Sequence, residues 1–258
     1  MCGGRALTVT SMICFGILFL LGEGVWANCM WAQDPLKLPG KNYAVAFENK
    51  DVTVIRAHYG PHEKIPVHDH DAFATVFVYL SDSGAVRIDH VDEGGKVVPV
   101  TRPPTVKGAF RIAPGVAEKH SIENLGALPS DFLRVELKRV PLKLDEPFRG
   151  KAPKSLGASE DVVEFPAPEV QDPKVQIERI VCVVAEACAV KASEAPSLVV
   201  AFTGFAMTSE KTHRKEIVEA EAVRWVPAGE QLSVKAEGDG AAHLLRISLP
   251  AQHSIANR

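Results

Sequence analysis

Four β-forming stretches occur twice along this chain in the same order, and that duplication limits the fold more than any other feature of the sequence. Arg56 with its flanking valines matches Val175-Gln176-Ile177-Glu178-Arg179, and the run from Val76 to Ser81 matches Leu198 to Thr203. Phe110 to Gly115 then matches Val223 to Gly229, and Leu133 to Leu137 matches Leu245 to Leu249, with the offset shrinking from 123 to 112 residues. Such self-similarity reads as two copies of one β-domain, the second with shorter hairpins. The segments themselves support strands. Val52–Arg56, Thr75–Leu80, Ala85–Ile88, Val97–Val100 and Phe132–Leu137 are short, rich in β-branched residues and bounded by Gly, Pro, Asp or Ser. Gly94-Gly95 reads as a hairpin turn. The expectation is an all-β protein with one barrel or sandwich over residues 43–140 and a second, degenerate one over 175–250. Between them, residues 141–174 carry six prolines (141, 147, 153, 166, 168, 173) among charged residues, which suits a linker or a strap laid over a surface.

The first residues read as a targeting segment and are set apart before the fold is considered. Arg5 precedes an apolar run, Met12 to Leu21, which is followed by Gly22-Glu23-Gly24 and then Val25-Trp26-Ala27. This is the pattern of a secretory signal, residues 1–27, with the mature chain expected to begin near Asn28 or Gln33. A spanning helix needs about 20 apolar residues, roughly twice this run, so an uncleaved anchor is the weaker reading and no stable membrane span remains after cleavage. Lipidation at Cys29 is weaker still, because Trp26-Ala27-Asn28 lacks the small residues expected beside a lipidated cysteine. The mature protein is therefore expected in the periplasm or outside the cell.

Of the five cysteines, Cys182 and Cys188 remain well inside the mature chain. Export favours a disulfide between them, the alternative being two buried thiols that serve as small apolar residues. With 29 Lys+Arg against 32 Asp+Glu and no basic run, the chain lacks the cationic surface that nucleic acid requires.

Chemistry concentrates in two stretches of the first copy. The first runs from Gly60 to His70 and contains His68-Asp69-His70; the second runs from Pro114 to Asn124 and contains His120. Residues two apart in a strand face the same side, so His68 and His70 can present both imidazoles to one point inside a barrel. A third imidazole from a returning strand would complete one face of a metal site. Neutral imidazole suits Fe, Ni, Cu and Zn. The alternative is three histidines packed in a barrel without metal.

These stretches resemble the two motifs of the cupin superfamily: Gly60, Pro66, His68 and His70 for the first, and Gly108, Pro114, Gly115, His120 and Asn124 for the second. More closely, the first half is similar to small bacterial cupins, through Val78 to Asp82, His120 to Gly126 and Val135 to Lys138. The resemblance covers residues 43–140 directly and the second half only through the repeat. It implies two jelly-roll barrels, a bicupin, with His68, His70 and His120 as metal ligands. Two departures stand out. The usual Glu ligand would fall near Ala74 or Thr75, where no carboxylate stands, and the spacing from Pro114 to His120 is one residue longer than usual. The resulting three-histidine site is similar to that of the thiol dioxygenases and the acetylacetone-cleaving dioxygenase within the superfamily. It would leave a divalent ion, Fe first with Ni, Cu, Zn or Mn as alternatives, its full charge, and so favour a small anionic chelating substrate.

Around this trio, Thr75, Phe77, Tyr79 and Asn124 are candidates to line a pocket, although ordinary barrel core explains Phe77 and Tyr79 equally well and Asn124 reads more as fixing backbone than as touching substrate; Asp69, Asp71 and Glu118 are the nearby carboxylates, with strand parity turning Asp69 outward. His58 and His62 read as solvated or satisfied residues. Arg134 and Glu136 share one strand face, inside the barrel or outside it. Extending the repeat sets Val190 and Ala192 against His68 and His70, and Leu232 or Ser233 against His120, so the second barrel is expected to be metal-free, apolar and structural, completing the fold or a homo-oligomer. The leading expectation is a metal-dependent dioxygenase-like oxidoreductase. The alternatives are a non-catalytic small-molecule or metal-binding module, and an isomerase or lyase that uses the metal as Lewis acid.

Overall fold

The computed structural model describes residues 33–38, 40–140, 142, 147–150, 163–166, 174–183 and 186–250. The signal region 1–27, the residues around Asn28 and Cys29, and most of the stretch 141–174 lie outside them. Among the described residues no helix is long and apolar enough to cross a membrane.

Each half of the chain builds a pair of facing antiparallel sheets. The first half contributes β1 (Tyr43–Glu48), β2 (Val52–Tyr59), β3 (Lys64–His70), β4 (Ala74–Tyr79), β5 (Val86–Val91), β6 (Val97–Arg102), β7 (Phe110–Ala113), β8 (Glu118–Asn124), β9 (Ser130–Leu137) and β10 (Phe148–Gly150). The second contributes β11 (Val163–Pro166), β12 (Lys174–Cys182), β13 (Ala187–Val190), β14 (Ser197–Ala201), β15 (Phe205–Ser209), β16 (Lys215–Val218), β17 (Val223–Val226), β18 (Leu232–Ala236) and β19 (Ala242–Ser248). The large sheets run β1-β2-β9-β4-β7-β10 and β11-β12-β19-β14-β17; the small ones run β3-β8-β5-β6 and β13-β18-β15-β16. Apart from the added β10, the second order is the first repeated strand for strand, and the four matching stretches of sequence fall on equivalent strands. The proline-rich stretch is more than a linker: β10 and β11 within it extend the two large sheets, pairing with β7 and β12. Both take edge positions, where a proline such as Pro166 is tolerated because no ladder donor is missed.

The large sheets pack face to face. Val76 and Val78 of β4 and Leu133, Val135 and Leu137 of β9 share one core with Ile177, Leu198, Val200, Leu245 and Ile247 from the second half. Phe47 stacks on Trp225 at the edge, and Arg56 bonds Glu221 across the same junction. Strand β4 is consequently buried on both faces, since Phe77 and Tyr79 point the other way into a separate core with Tyr59, Ile65, Ile122 and Phe132. That double burial explains why Val76–Leu80 reads as an unbroken apolar run rather than an alternating one. The second barrel is filled: Ile180, Val190, Val199, Phe205, Val218 and Leu232 lie in one apolar interior cluster.

Two glycines are required by the turns. Gly95 adopts φ 79° in the β5–β6 hairpin, and a Cβ on Gly115 would stand 2.7 Å from the Ala72 carbonyl oxygen and 2.9 Å from the Ala74 nitrogen. Gly115 thus lets the loop entering β8 lie directly on the β3–β4 connection. Because Leu133 and Leu198 are both fully buried in the shared core, replacing either by Ala should lower unfolding stability by about 2–5 kcal/mol. Val97→Ala, at a half-exposed position on β6, should stay within about 0.5 kcal/mol. Urea titrations of the three variants check this, and equal midpoints for all three would contradict the packing described.

Candidate metal centre

Strands β3 and β8 carry the three histidines to one point. Their ladder slips between Ile65 and His68, a bulge at Pro66-Val67, after which His68 stands opposite His120. Pro66 needs no ladder bond at a bulge, and its carbonyl accepts a hydrogen bond from His68 Nδ1 at 2.9 Å. A carbonyl only accepts, so Nδ1 bears the proton and Nε2 keeps its lone pair. Tyr43 O–H reaches that Nε2 at 3.0 Å and Tyr59 Oη at 3.1 Å. Two residues on, His70 faces the same side. The ring centroids of the trio are 5.0, 4.8 and 5.1 Å apart, and one ring nitrogen from each lies within 4.8 Å of the others.

Burial governs the electrostatics. All three histidines are buried, and desolvation pushes each pKa below the ordinary histidine value, with Arg134 adding to the effect. Burial also raises both Tyr43 and Tyr59, so these phenols stay protonated at neutral pH. The site is therefore three neutral imidazoles and a phenol donor. His120 Nδ1 is buried with no hydrogen-bond partner, a polar demand the protein itself leaves unmet. Neutral nitrogen donors at this spacing fit a divalent transition ion, and with no carboxylate in the trio such an ion would keep its full charge.

A cavity of about 110 Å³ opens beside the trio. Phe77 and Tyr79 line it. Thr75 and Asn124 do not: the Thr75 hydroxyl donates to the Phe73 carbonyl at 2.9 Å, and the Asn124 amide donates to the carbonyls of Tyr59, Gly60 and Leu128 while its oxygen accepts from Gly126 N–H. Their side chains complete backbone hydrogen bonds instead of facing the cavity. Arg134 and Glu136 lie inside the barrel, with Arg134 Nε 2.9 Å from Glu136 and Nη1 3.6 Å from Glu118. Asp69 and Asp71 are exposed. Glu118 Oε2 lies 3.9 Å from His120 Nδ1 and faces the cavity. His58 pairs with Asp131 at the surface and His62 sits in a turn at φ 56°.

Several residues of the site escape sequence reasoning. His90, opposite His120 on β5, forms a second candidate ligand group with Glu118 and His120. Tyr43, Arg102, Arg111 and Arg149 also line the cavity. Arg111 has one legible signal, standing between the apolar Phe110 and Ile112 so that strand parity turns it to the other face.

In the second barrel Val190 stands opposite Leu232 as His68 stands opposite His120. Ala192 does not match His70, because β13 ends at Val190 and Ala192 is exposed. His243 Nε2 is 2.8 Å from Arg179 Nη1, whose guanidinium also donates to the Gly108 carbonyl of the first half. Burial and that arginine push His243 down to about 4. Cys182 and Cys188 are joined in a disulfide. Among the described residues, both groups with metal-ligand spacing lie in the first barrel.

No family model matches the chain, and no curated protein matches it. Solved structures do. AerE from Microcystis aeruginosa superposes with a TM-score of 0.57 at 12% identity, covering 84% of this chain and 97% of that one. YhaK from Escherichia coli gives 0.53 at 14% identity, covering 81% and 92%. A tryptophan-to-tyrosine variant of oxalate decarboxylase from Bacillus subtilis gives 0.51 at 17% identity, covering 81% and 72%. The fold is thus the paired jelly-roll β-fold of the cupins. At these identities the likeness speaks for the fold, and the chemistry rests on the residues.

The purified protein should hold one equivalent of metal per chain by elemental analysis. His68→Ala or His120→Ala should strip it, whereas His213→Ala and His243→Ala should not; metal retained by a His68→Ala, His70→Ala double variant would exclude this site. The same histidines set the acid stability of the metal-free protein. Their folded pKa values lie below the value of about 6.5 expected in the unfolded chain, so below pH 6.5 the unfolded state binds protons that the folded state refuses. Stability should be full above pH 6.5 and fall below it, by up to about 1.4 kcal/mol per pH unit for each group, until the folded values are reached. Urea midpoints between pH 7.5 and 5 measure the slope, which should be shallower in a triple His→Gln variant of residues 68, 70 and 120.

Proposed function

We propose that the chain is an exported, metal-dependent dioxygenase-like oxidoreductase acting on a small anionic chelating substrate. The observation that carries the reading is the three buried, neutral imidazoles of His68, His70 and His120, with no carboxylate among them, beside a cavity of aromatic and arginine side chains. A divalent ion held there, Fe or alternatively Ni, Cu, Zn or Mn, would supply Lewis acidity and redox chemistry to an anion that binds through two atoms.

The protein's own groups prepare the rest. The Pro66 carbonyl orients His68, an outer-shell contact of the kind that tunes ligand basicity. Tyr43 O–H offers a hydrogen bond at the same edge. Glu118 Oε2, held by Arg134, is the carboxylate nearest the imidazoles and can take the proton of an incoming enol or thiol. Phe77, Phe132 and Ile122 form an apolar wall that keeps water from the reacting atoms. Export to the periplasm or beyond is supported by the apolar run Met12–Leu21 and the small residue Ala27.

Oxygen uptake by metal-loaded protein against a panel of diketones, thiols and phenolics tests the reading. Uptake with one class is expected, and Glu118→Gln should slow it at least tenfold per bound metal ion. Metal and ligand binding with no uptake across the panel would replace the oxidoreductase with a non-catalytic binding module.

A further inference from the structure

The cavity has a second polar wall, on the sheet that faces the imidazoles, which metal binding does not use. Across the large sheet of the first half, Arg134 on β9 stands opposite Phe77 on β4, Phe77 opposite Arg111 on β7, and Arg111 opposite Arg149 on β10. Cross-strand neighbours share a face, and strands lie about 4.8 Å apart, so three guanidinium groups are spread along one side of a small cavity. Phe77 lies between two of them, with the Arg111 guanidinium 4.4 Å and that of Arg134 5.5 Å from its ring centroid. Arg102 reaches in from β6, 5.2 Å from the Tyr79 centroid.

These arginines differ in what already neutralises them. Arg134 has both Glu118 and Glu136. Among the described residues, Arg102, Arg111 and Arg149 meet no carboxylate at ion-pair distance, and the Nε atoms of Arg102 and Arg111 are buried with no hydrogen-bond partner. Burial disfavours the charge on Arg111; Tyr79 and the Glu118 carboxylate partly offset this, while Arg149 and Arg102 add to it. Buried charges in proteins are ordinarily paired; Arg102 is buried and Arg111 half-buried, and neither has a carboxylate at ion-pair distance among the described residues, so the wall calls for an anion.

We propose that Arg111, flanked by Arg102 and Arg149, is a carboxylate subsite for a small molecule whose remaining body is apolar. The guanidinium fork matches a planar carboxylate through paired hydrogen bonds. The apolar body follows from the other lining groups, among them Phe132, Tyr79, Ile88 and Ile122. The inference rests on the anionic-substrate reading above and deepens it: the substrate carries an acid group besides the end that would chelate the metal. Its test does not need the metal.

Calorimetric titration of the metal-stripped protein with benzoate, benzamide and inorganic phosphate decides it. Benzoate should bind once per chain and benzamide at least tenfold more weakly. Arg111→Gln should weaken benzoate at least tenfold, with Arg111→Lys intermediate, and His213→Ala, at an exposed position of the second barrel, should leave it unchanged. If Arg111→Gln does not fold, Arg149→Gln at the exposed mouth should still weaken benzoate several-fold, and the binding should weaken with added salt. Equal binding of benzoate and benzamide, a preference for phosphate, or benzoate binding only after metal is restored would overturn the subsite. Failure of the two readings is separable: a chain that takes no metal yet binds benzoate loses the metal centre and keeps the subsite, and the converse keeps the metal centre alone.

Discussion

The sheet containing β4 and β9 must be apolar on one face and selective on the other, and the rest of the molecule follows from that requirement. Outward, Val76, Val78, Leu133 and Val135 join the second barrel in one core. Burying such side chains contributes roughly 1.5–3 kcal/mol each, enough to make the second barrel a structural partner of the first even without chemistry of its own. Inward, the same strands carry Phe77, Tyr79 and Arg134, which line the cavity, and Glu136, which holds Arg134. A sheet clamped from behind holds those side chains in place, which a site of converging donors needs.

The polar interior has its own cost, which the arrangement meets unevenly. Arg134 is satisfied by two carboxylates. Asn124 completes its bonds to backbone. His120 Nδ1, Arg102 Nε and Arg111 Nε, in contrast, are buried without partners. Unmet polar groups in a native interior call for an explanation. Here two kinds of demand lie around one cavity: lone pairs that suit a cation, and guanidinium groups that suit an anion. In the second barrel the interior is closed by Val190, Phe205 and Leu232; among the described residues its unmet buried atom is Arg246 Nε, on a side chain that also pairs with Glu178, and the buried contact of Arg179 with His243 is tied to the first barrel through the Gly108 carbonyl.

Much of this was legible from residues alone. Period-two spacing turned His68 and His70 to one side, and the internal repeat set Val190 and Leu232 where histidines stand in the first copy. Both inferences need only the geometry of a strand, which is local. The same geometry misjudged Thr75: parity turned it toward the interior, but its short hydroxyl side chain bonds the nearest backbone before it reaches a cavity, whereas Asn124 fixes backbone as its reading from sequence has it. Ala192 failed for a related reason, since β13 stops at Val190 and parity has no meaning past a strand's end.

Strand content, the two copies and the pair of histidines on β3 were determined by sequence, because backbone preference and side-chain alternation act over a few residues. Tertiary structure decided the partners. Tyr43 lies 25 positions from the His68 it bonds, and His90 meets His120 only through the β5–β8 ladder. Arg111 gains its place beside Phe77 and Arg149 from the order of strands in a sheet. Strand order and register are set by which apolar faces must be buried together, a property of many strands at once, so the chemistry of the cavity emerges only once the strands of the first barrel have paired around it.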